Sequence, residues 1–66
     1  MVKQRVGNTK LRDARSASGK TQGQIAREVG VTARAYQYYE SGERIPRVDT
    51  ALSIARALGC SVEELF

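Results

Sequence analysis

Four glycines punctuate this sequence and divide most of it into stretches with a helical pattern. They are Gly19, Gly30, Gly42 and Gly59, and each follows a stretch in which apolar residues recur three or four positions apart. A glycine commonly stands just after the last turn of a helix. Nowhere in the sequence do β-branched residues alternate over the length of a strand. The sequence therefore predicts an all-α fold.

Polar residues mark where the predicted helices begin. Segments 21–24 and 61–64 both fit a capping box, in which two side chains satisfy free backbone N–H groups at a helix start. Asn8 or Thr9 is expected to start the first helix, and Thr32 the third. A chain of 66 residues makes one domain at most, so residues 1–66 are expected to form a single domain. Its helices are predicted near residues 9–18, 21–29, 32–41, 48–58 and 62–66.

The helices are expected to face a shared core, which is small in a chain of this length. In the third helix Tyr36, Tyr39 and Glu40 share the inner face, because they stand at positions i, i+3 and i+4. The inward residues expected in the fourth helix are Val48, Ala51, Leu52, Ala55 and Leu58.

The charge of the chain is positive and unevenly spread. Its formal net charge is +4, and residues 1–20 are strongly basic while residues 48–66 are acidic. A basic surface beside an acidic one favours a polyanionic ligand. Charge that serves only solubility is an equally good interpretation of composition alone.

Several classes of site are not expected from the residues present. The chain has one cysteine and no histidine, so it lacks the usual zinc ligands and cannot form an internal disulfide. Its acidic residues are scattered and it has no glycine-rich phosphate loop, which argues against an enzyme or a bound cofactor. No apolar stretch has the length of a membrane span or a signal peptide, so a cytoplasmic protein is expected.

Residues 22–41 carry the strongest local pattern. Ala26 is small where two crossing helices would approach closely, Gly30 suits a tight turn, and Val31 follows with an apolar side chain. Larger residues at intervals would fill the angle between the helices: Ile25, Val29, Tyr36 and Tyr39. The pattern predicts a helix-turn-helix, whose second helix enters the major groove of B-DNA.

A longer series of residues extends this pattern along the chain: Leu11-Arg12-x-x-Arg15, Gly19-Lys20-Thr21-Gln22, Ile25-Ala26, Gly30-Val31-Thr32, Tyr39-Glu40-x-Gly42, Pro46 and Ala57-Leu58-Gly59. Together these residues resemble the Cro and phage-repressor type of helix-turn-helix protein, the XRE family, over roughly residues 9–66. The resemblance implies a five-helix, lambda-repressor-like fold, a double-stranded DNA ligand and a homodimer on a palindromic operator.

The resemblance also implies which residues read bases. They lie on the outer face of the third helix: Ala33, Arg34, Gln37 and Tyr38. Arg34 is the strongest candidate, because a guanidinium group matches the O6 and N7 atoms of guanine. Ala33 is suited to a thymine methyl group, and Gln37 to adenine or phosphate. The alternative is a solvated polar face with no ligand.

Phosphate contacts are implied at a second set of positions: Gln22, Ser41, Arg44 and Arg47. In the family the glutamine at the position of Gln22 binds a phosphate and supports a side chain of the recognition helix, whereas the alternative is a residue that only helps start its helix. Such contacts set the register on DNA and carry little sequence information. Arg5 and Lys10 are further candidates near the N-terminus.

Two inner positions carry charge. Arg15 and Glu40 both lie on predicted inner faces, where charged residues are rare unless paired. The resemblance implies that they form an internal ion pair, which we expect to be largely buried and bidentate. The alternative is two solvated surface charges. Tyr36 departs from the family's usual aliphatic residue, and its hydroxyl is expected at the edge of the DNA face.

A dimer surface is expected at the last two helices, which are rich in apolar residues. We place it at Val62, Leu65 and Phe66, with the alternative that these residues only close the core of the monomer. The function predicted first is a sequence-specific transcriptional regulator. An antitoxin or other module that binds an unidentified protein partner, and a restriction–modification controller protein, are alternatives that use the same fold.

Overall fold

The structure, a computed structural model, describes residues 7–66 and contains five helices and no strand within them. The helices are α1 (Thr9–Ser18), α2 (Gln22–Val29), α3 (Ala33–Ser41), α4 (Val48–Leu58) and α5 (Val62–Leu65). The all-α, five-helix prediction is confirmed. α2 and α3 each begin one residue later than predicted, because Thr21 and Thr32 are cap residues with extended backbone.

Side chains satisfy the first backbone N–H groups of most of these helices. Both predicted capping boxes are present, at 21–24 and at 61–64. Thr32 accepts a hydrogen bond from the Ala35 N–H at 3.0 Å. Arg47 stands at the start of α4 and makes no capping bond with its side chain. Its guanidinium group is therefore not used by the helix start.

Every helix contributes to the buried core. Its fully or nearly buried members are Leu11, Ile25, Ala26, Tyr36, Ile54, Ala55 and Leu65. Tyr36 is the largest of them and is fully buried. The core thus holds α3 against the rest of the fold on one side and leaves its other side open.

The predicted inward face of α4 was partly wrong. Val48 is 76% exposed and Leu52 is 44% exposed, whereas Ile54 is fully buried. α4 carries apolar residues around more than half of its circumference, so the sequence pattern alone did not distinguish the core side from the solvent side. The helix is turned so that Ala51, Ile54 and Ala55 face the core.

The predicted dimer surface also needs correction. Leu65 is only 1% exposed and packs inside the monomer, so it is not available to a partner. Val62 is half-buried against the same core. Phe66 follows the end of α5 and is 38% exposed. The spacing of the three residues did not show that the end of α5, at Leu65, is buried in the core.

Asn8 joins three parts of the fold. Its side-chain oxygen accepts from the Leu11 N–H at 3.0 Å and so caps α1. Its amide nitrogen donates to the Leu65 carbonyl at 2.7 Å, and its backbone N–H donates to the Glu40 carbonyl at 2.7 Å. The start of α1 is thereby fixed against the ends of α3 and α5.

Among residues 7–66 no helix is long and apolar enough to cross a membrane. The same residues contain no cluster of side chains that would hold a metal ion.

Candidate nucleic-acid interface

α2 and α3 are joined by a tight turn. Gly30 adopts the left-handed conformation, with φ of 81°, which a residue with a side chain adopts only with strain. The N–H groups of Gly30 and Val31 both donate to the Ala26 carbonyl, each at 2.9 Å. Thr32 then begins α3 two residues after the glycine. This is the geometry of a helix-turn-helix.

The outer face of α3 is open to solvent. Ala33, Arg34 and Gln37 are exposed, while Tyr38 is half-buried. On the opposite side of the same helix Tyr36 and Glu40 are buried. The structure therefore brings together three of the four predicted base-reading residues as free side chains, and it gives Tyr38 a different environment.

Arg15 and Glu40 form an ion pair that ties α1 to α3. Arg15 Nε lies 2.6 Å from Glu40 Oε2, and Arg15 Nη2 donates to Glu40 Oε1 over a longer 3.5 Å. The side chains are 17% and 6% exposed. The remaining donor, Nη1, bonds the Lys20 carbonyl at 3.0 Å. The pair is thus largely shielded from water, with one short and one long contact.

Gln22 completes this network from the start of α2. Its Nε2 donates to Glu40 Oε1 at 2.9 Å, and the residue is half-buried. The Glu40 carboxylate of α3 is therefore supported by residues of both preceding helices.

Hydrogen bonding sets the protonation state of this network. Burial alone would raise the pKa of the Glu40 carboxyl, but hydrogen bonds from Arg15 and Gln22 outweigh it and lower that pKa below its ordinary value. The hydrogen bond to Glu40 raises the pKa of the Arg15 guanidinium. Both groups are charged near neutral pH, and their charges hold α3 in place.

Tyr36 lies inside the fold and does not reach the DNA face. The expectation that its hydroxyl emerges there was wrong, because the residue is fully buried. The ring meets Tyr39 edge to face, with centroids 6.3 Å apart. Burial raises the pKa of the phenol, and the neighbouring Glu40 carboxylate adds to the effect. Among residues 7–66 this hydroxyl is the buried side-chain oxygen without a hydrogen-bond partner.

The loop after α3 carries two of the residues predicted to bind phosphate, Arg44 and Arg47, and both are exposed. Ser41, also predicted to bind phosphate, is exposed at the end of α3. The guanidinium carbon of Arg44 lies 4.9 Å from the centroid of the Tyr38 ring, a cation–π contact that the sequence analysis missed. Tyr38 and Arg44 are six residues apart with a glycine between them, and this spacing does not predict a contact. Lys10 is exposed on α1, and Arg5 lies outside the described residues.

An apolar surface lies next to this loop. We define the apolar patch as Ile45, Val48, Leu52 and Phe66, of which Ile45 is the most exposed at 85%. A groove between these residues is also lined by Pro46, Ala51 and Val62. The patch therefore joins the loop that follows α3 to the outer side of α4 and the end of α5.

Comparison with known proteins gives the same architecture. Residues 11–65 match the family HTH_3, described as helix-turn-helix. The chain is 43% identical over 56 residues to the transcriptional repressor RstR of the cryptic phage CTXphi in Vibrio cholerae. That alignment covers 85% of this chain and 50% of the repressor, so the chain spans about half the length of this relative.

Two solved structures have closely similar folds. The P22 c2 repressor in complex with a synthetic operator matches with a TM-score of 0.86 and 25% identity, over 96% of both chains. The restriction–modification controller protein C.AhdI from Aeromonas hydrophila matches with a TM-score of 0.81 and 30% identity, over 89% of both chains. With the family match spanning residues 11–65, the chain belongs to the XRE type of helix-turn-helix proteins.

Proposed function

We propose that this chain is a transcriptional regulator, not an enzyme, and that it binds double-stranded DNA with α3 in the major groove. One observation carries the proposal: the core holds α3 by its inner side, and its outer side presents Arg34 and Gln37 with Arg44 and Arg47 close by in the chain. A polar helix face flanked by positive charge fits a groove lined by phosphates. The operator-bound P22 c2 repressor supports this mode of binding by its similar fold.

Each side chain of this interface has a proposed role. Arg34 donates to a guanine, Gln37 bonds adenine or phosphate, and Ala33 meets a thymine methyl group. The phosphate contacts come from Gln22, Ser41, Arg44 and Arg47. The ion pair of Arg15 with Glu40 touches no DNA in this proposal, since it lies on the inner side of α3.

We also propose that the regulator acts as a homodimer on a palindromic operator. A single α3 reads too few base pairs to be selective, so two copies are needed. The apolar patch supports this proposal because four large hydrophobic side chains that would otherwise face water lie together at one edge of the fold. Phe66 belongs both to the dimer surface predicted from the sequence and to the apolar patch. In such a dimer the two α3 helices lie about 34 Å apart, one turn of DNA.

A restriction–modification controller is a second candidate within the same class. The similarity to C.AhdI, at 30% identity over 89% of both chains, favours it. A controller with this fold would use the same interface. The genes beside this one would separate the two candidates.

Selection of bound duplexes from a random library tests the proposed function most directly. We expect one enriched sequence with two-fold symmetry, bound at about 10⁻⁸ to 10⁻¹¹ M near physiological salt. The affinity should fall steeply as the salt concentration rises. Protein binding releases cations that are bound to the DNA, and a high salt concentration opposes that release. Recovery of no preferred duplex would contradict sequence-specific binding, and an enriched sequence without symmetry would contradict the dimer.

A further inference from the structure

Tyr38 and Arg44 are linked twice, once through the backbone and once through the side chains. The Tyr38 carbonyl accepts from the N–H groups of Glu43 and Arg44, at 3.0 and 3.2 Å, and from Ser41 Oγ at 3.1 Å. These bonds fold the first turn of the loop back over the end of α3. The guanidinium carbon of Arg44 then lies 4.9 Å from the centroid of the Tyr38 ring.

The contact with the ring leaves the N–H donors of the guanidinium free. A ring binds a guanidinium through its flat face, and the N–H groups point outward from the edge of the plane. Among residues 7–66 no hydrogen bond or ion pair engages the Arg44 side chain. Its donors are therefore free for a phosphate, and the group is already oriented before DNA arrives.

The environment of Tyr38 differs from that of its neighbours on the outer face of α3. Ala33, Arg34 and Gln37 are exposed, whereas Tyr38 is half-buried and has a guanidinium group over its ring. The guanidinium lies over one face of the ring, so a base that packed on that face would displace the cation–π contact with Arg44.

We infer that Tyr38 is a positioning residue for Arg44 and not a base reader: its ring holds the Arg44 guanidinium ready for a DNA phosphate. This inference rests on the proposed function. Because phosphates are the same in every sequence, Tyr38 would contribute to the affinity for all duplexes and not to base preference. Arginine would be required at position 44, since the ammonium group of lysine is a strongly hydrated point charge without a flat face.

The test uses the whole chain and the duplex selected above. Tyr38→Phe keeps the ring and should stay within about twofold of the wild-type affinity. Tyr38→Leu removes the ring, and Arg44→Lys keeps the charge but removes the flat guanidinium. Each should weaken binding by about two- to thirtyfold, and the double variant should lose little more than either single one. Arg47→Lys is the matched control and should lose clearly less, because no aromatic ring is found under Arg47 within residues 7–66.

Base preference separates the two roles of Tyr38. For Tyr38→Leu we expect the same loss on the selected duplex and on duplexes with single base-pair changes. Preference relaxed at one base pair would overturn the inference and restore Tyr38 as a base reader. Additive losses in the double variant would overturn it as well.

A measurement without DNA distinguishes failure of the inference from failure of the proposed function. In the free protein, the ring current of Tyr38 should shift the proton resonances next to the Arg44 guanidinium upfield. Tyr38→Leu should abolish that shift while Tyr38→Phe retains it. If no duplex is bound by the wild type but the shift is present, the proposed function fails and the stacked pair stands. If the duplex is bound and the shift is absent, the inference fails alone.

Discussion

At the scale of single residues, the position of α3 depends on charges that lie outside the proposed DNA interface. Glu40 receives hydrogen bonds from Arg15 at 2.6 Å and from Gln22 at 2.9 Å, and its side chain is 6% exposed. Such a pair need not stabilise the fold more than well-packed apolar residues would, because both charges lose their hydration. Removal of one partner destabilises the fold, because it leaves the other charge poorly hydrated and without an opposite charge.

Glu40→Ala is expected to destabilise the fold by about 3–5 kcal/mol and to abolish DNA binding by unfolding. That loss approaches the whole folding free energy of a small domain. Thermal melts of Glu40→Ala, Arg15→Ala and the double variant measure it. The double variant should be less destabilised than the sum of the single ones, because neither charge is left alone. Small, additive shifts would contradict a buried pair.

The same carboxylate predicts a dependence on pH. The pKa of Glu40 is lower in the folded chain than its ordinary value of 4.5, so the stabilisation is fully present above about pH 4.5. It is lost as the pH falls from there through the lower pKa of the folded state. Melting temperatures of wild type and Glu40→Gln should therefore converge in acid. A difference that stays constant from pH 7 down to pH 3 would contradict this prediction.

Arg34 gives the prediction for base reading. Arg34→Ala should weaken binding to the selected duplex by about 1–3 kcal/mol and relax preference at one base pair of each half-site. Arg56→Ala removes the same charge from an exposed position on α4 and serves as the control. Competition with duplexes changed at single base pairs measures both effects. If Arg34→Ala kept the base preference of the wild type, the assignment of base reading to Arg34 would be wrong.

At the scale of elements, the local signals in the sequence predicted the helices well. Thr21, Thr32 and Ser61 cap the helices they were predicted to cap, because capping depends on residues within one turn. The orientation of α4 was predicted less well, since Val48, Leu52 and Ile54 are all apolar and only packing decides which of them is buried. The Arg15–Glu40 pairing was expected from the resemblance to a family, whereas the contact of Arg44 with Tyr38 depends on the path of a loop.

Asn8 makes contacts between helices that no local pattern in the sequence indicated. Sequence analysis offered it as one of two caps for α1, and the structure adds bonds to the Leu65 and Glu40 carbonyls. Asn8→Ala should cost about 1–2 kcal/mol through the cap, and more if the Leu65 carbonyl is left unpaired. Asn8→Ser retains a cap oxygen but has no amide to reach Leu65, so its melting temperature should lie between those of wild type and Asn8→Ala. A melting temperature of Asn8→Ser equal to that of the wild type would show that the bond to Leu65 contributes nothing.

At the scale of the whole molecule, one loop joins the apolar patch to the proposed DNA interface. Arg44 and Arg47 belong to the proposed DNA interface, and Ile45 between them is 85% exposed in the patch. A second copy seated on the patch would therefore contact the same loop that carries the phosphate-binding arginines. Dimer formation and DNA affinity are expected to depend on each other.

Leu52→Glu tests this coupling. The substitution places a charge in the middle of the patch, where Leu52 is 44% exposed, and should convert the dimer to a monomer in sedimentation at micromolar concentration. Affinity for the full operator should fall steeply, while affinity for an isolated half-site changes little. Ala17→Glu adds the same charge at an exposed position of α1 and should remain dimeric. A wild type that is monomeric both free and on DNA would contradict the proposed dimer.

The bond of 2.7 Å between the Asn8 amide and the Leu65 carbonyl also means that the two ends of the described fold are neighbours in space. A peptide linker from residue 66 to residue 7 would then close the described fold into a ring without pulling the helices apart. A ring has fewer unfolded conformations than an open chain, so ring closure should raise the melting temperature although no new side-chain contact is made.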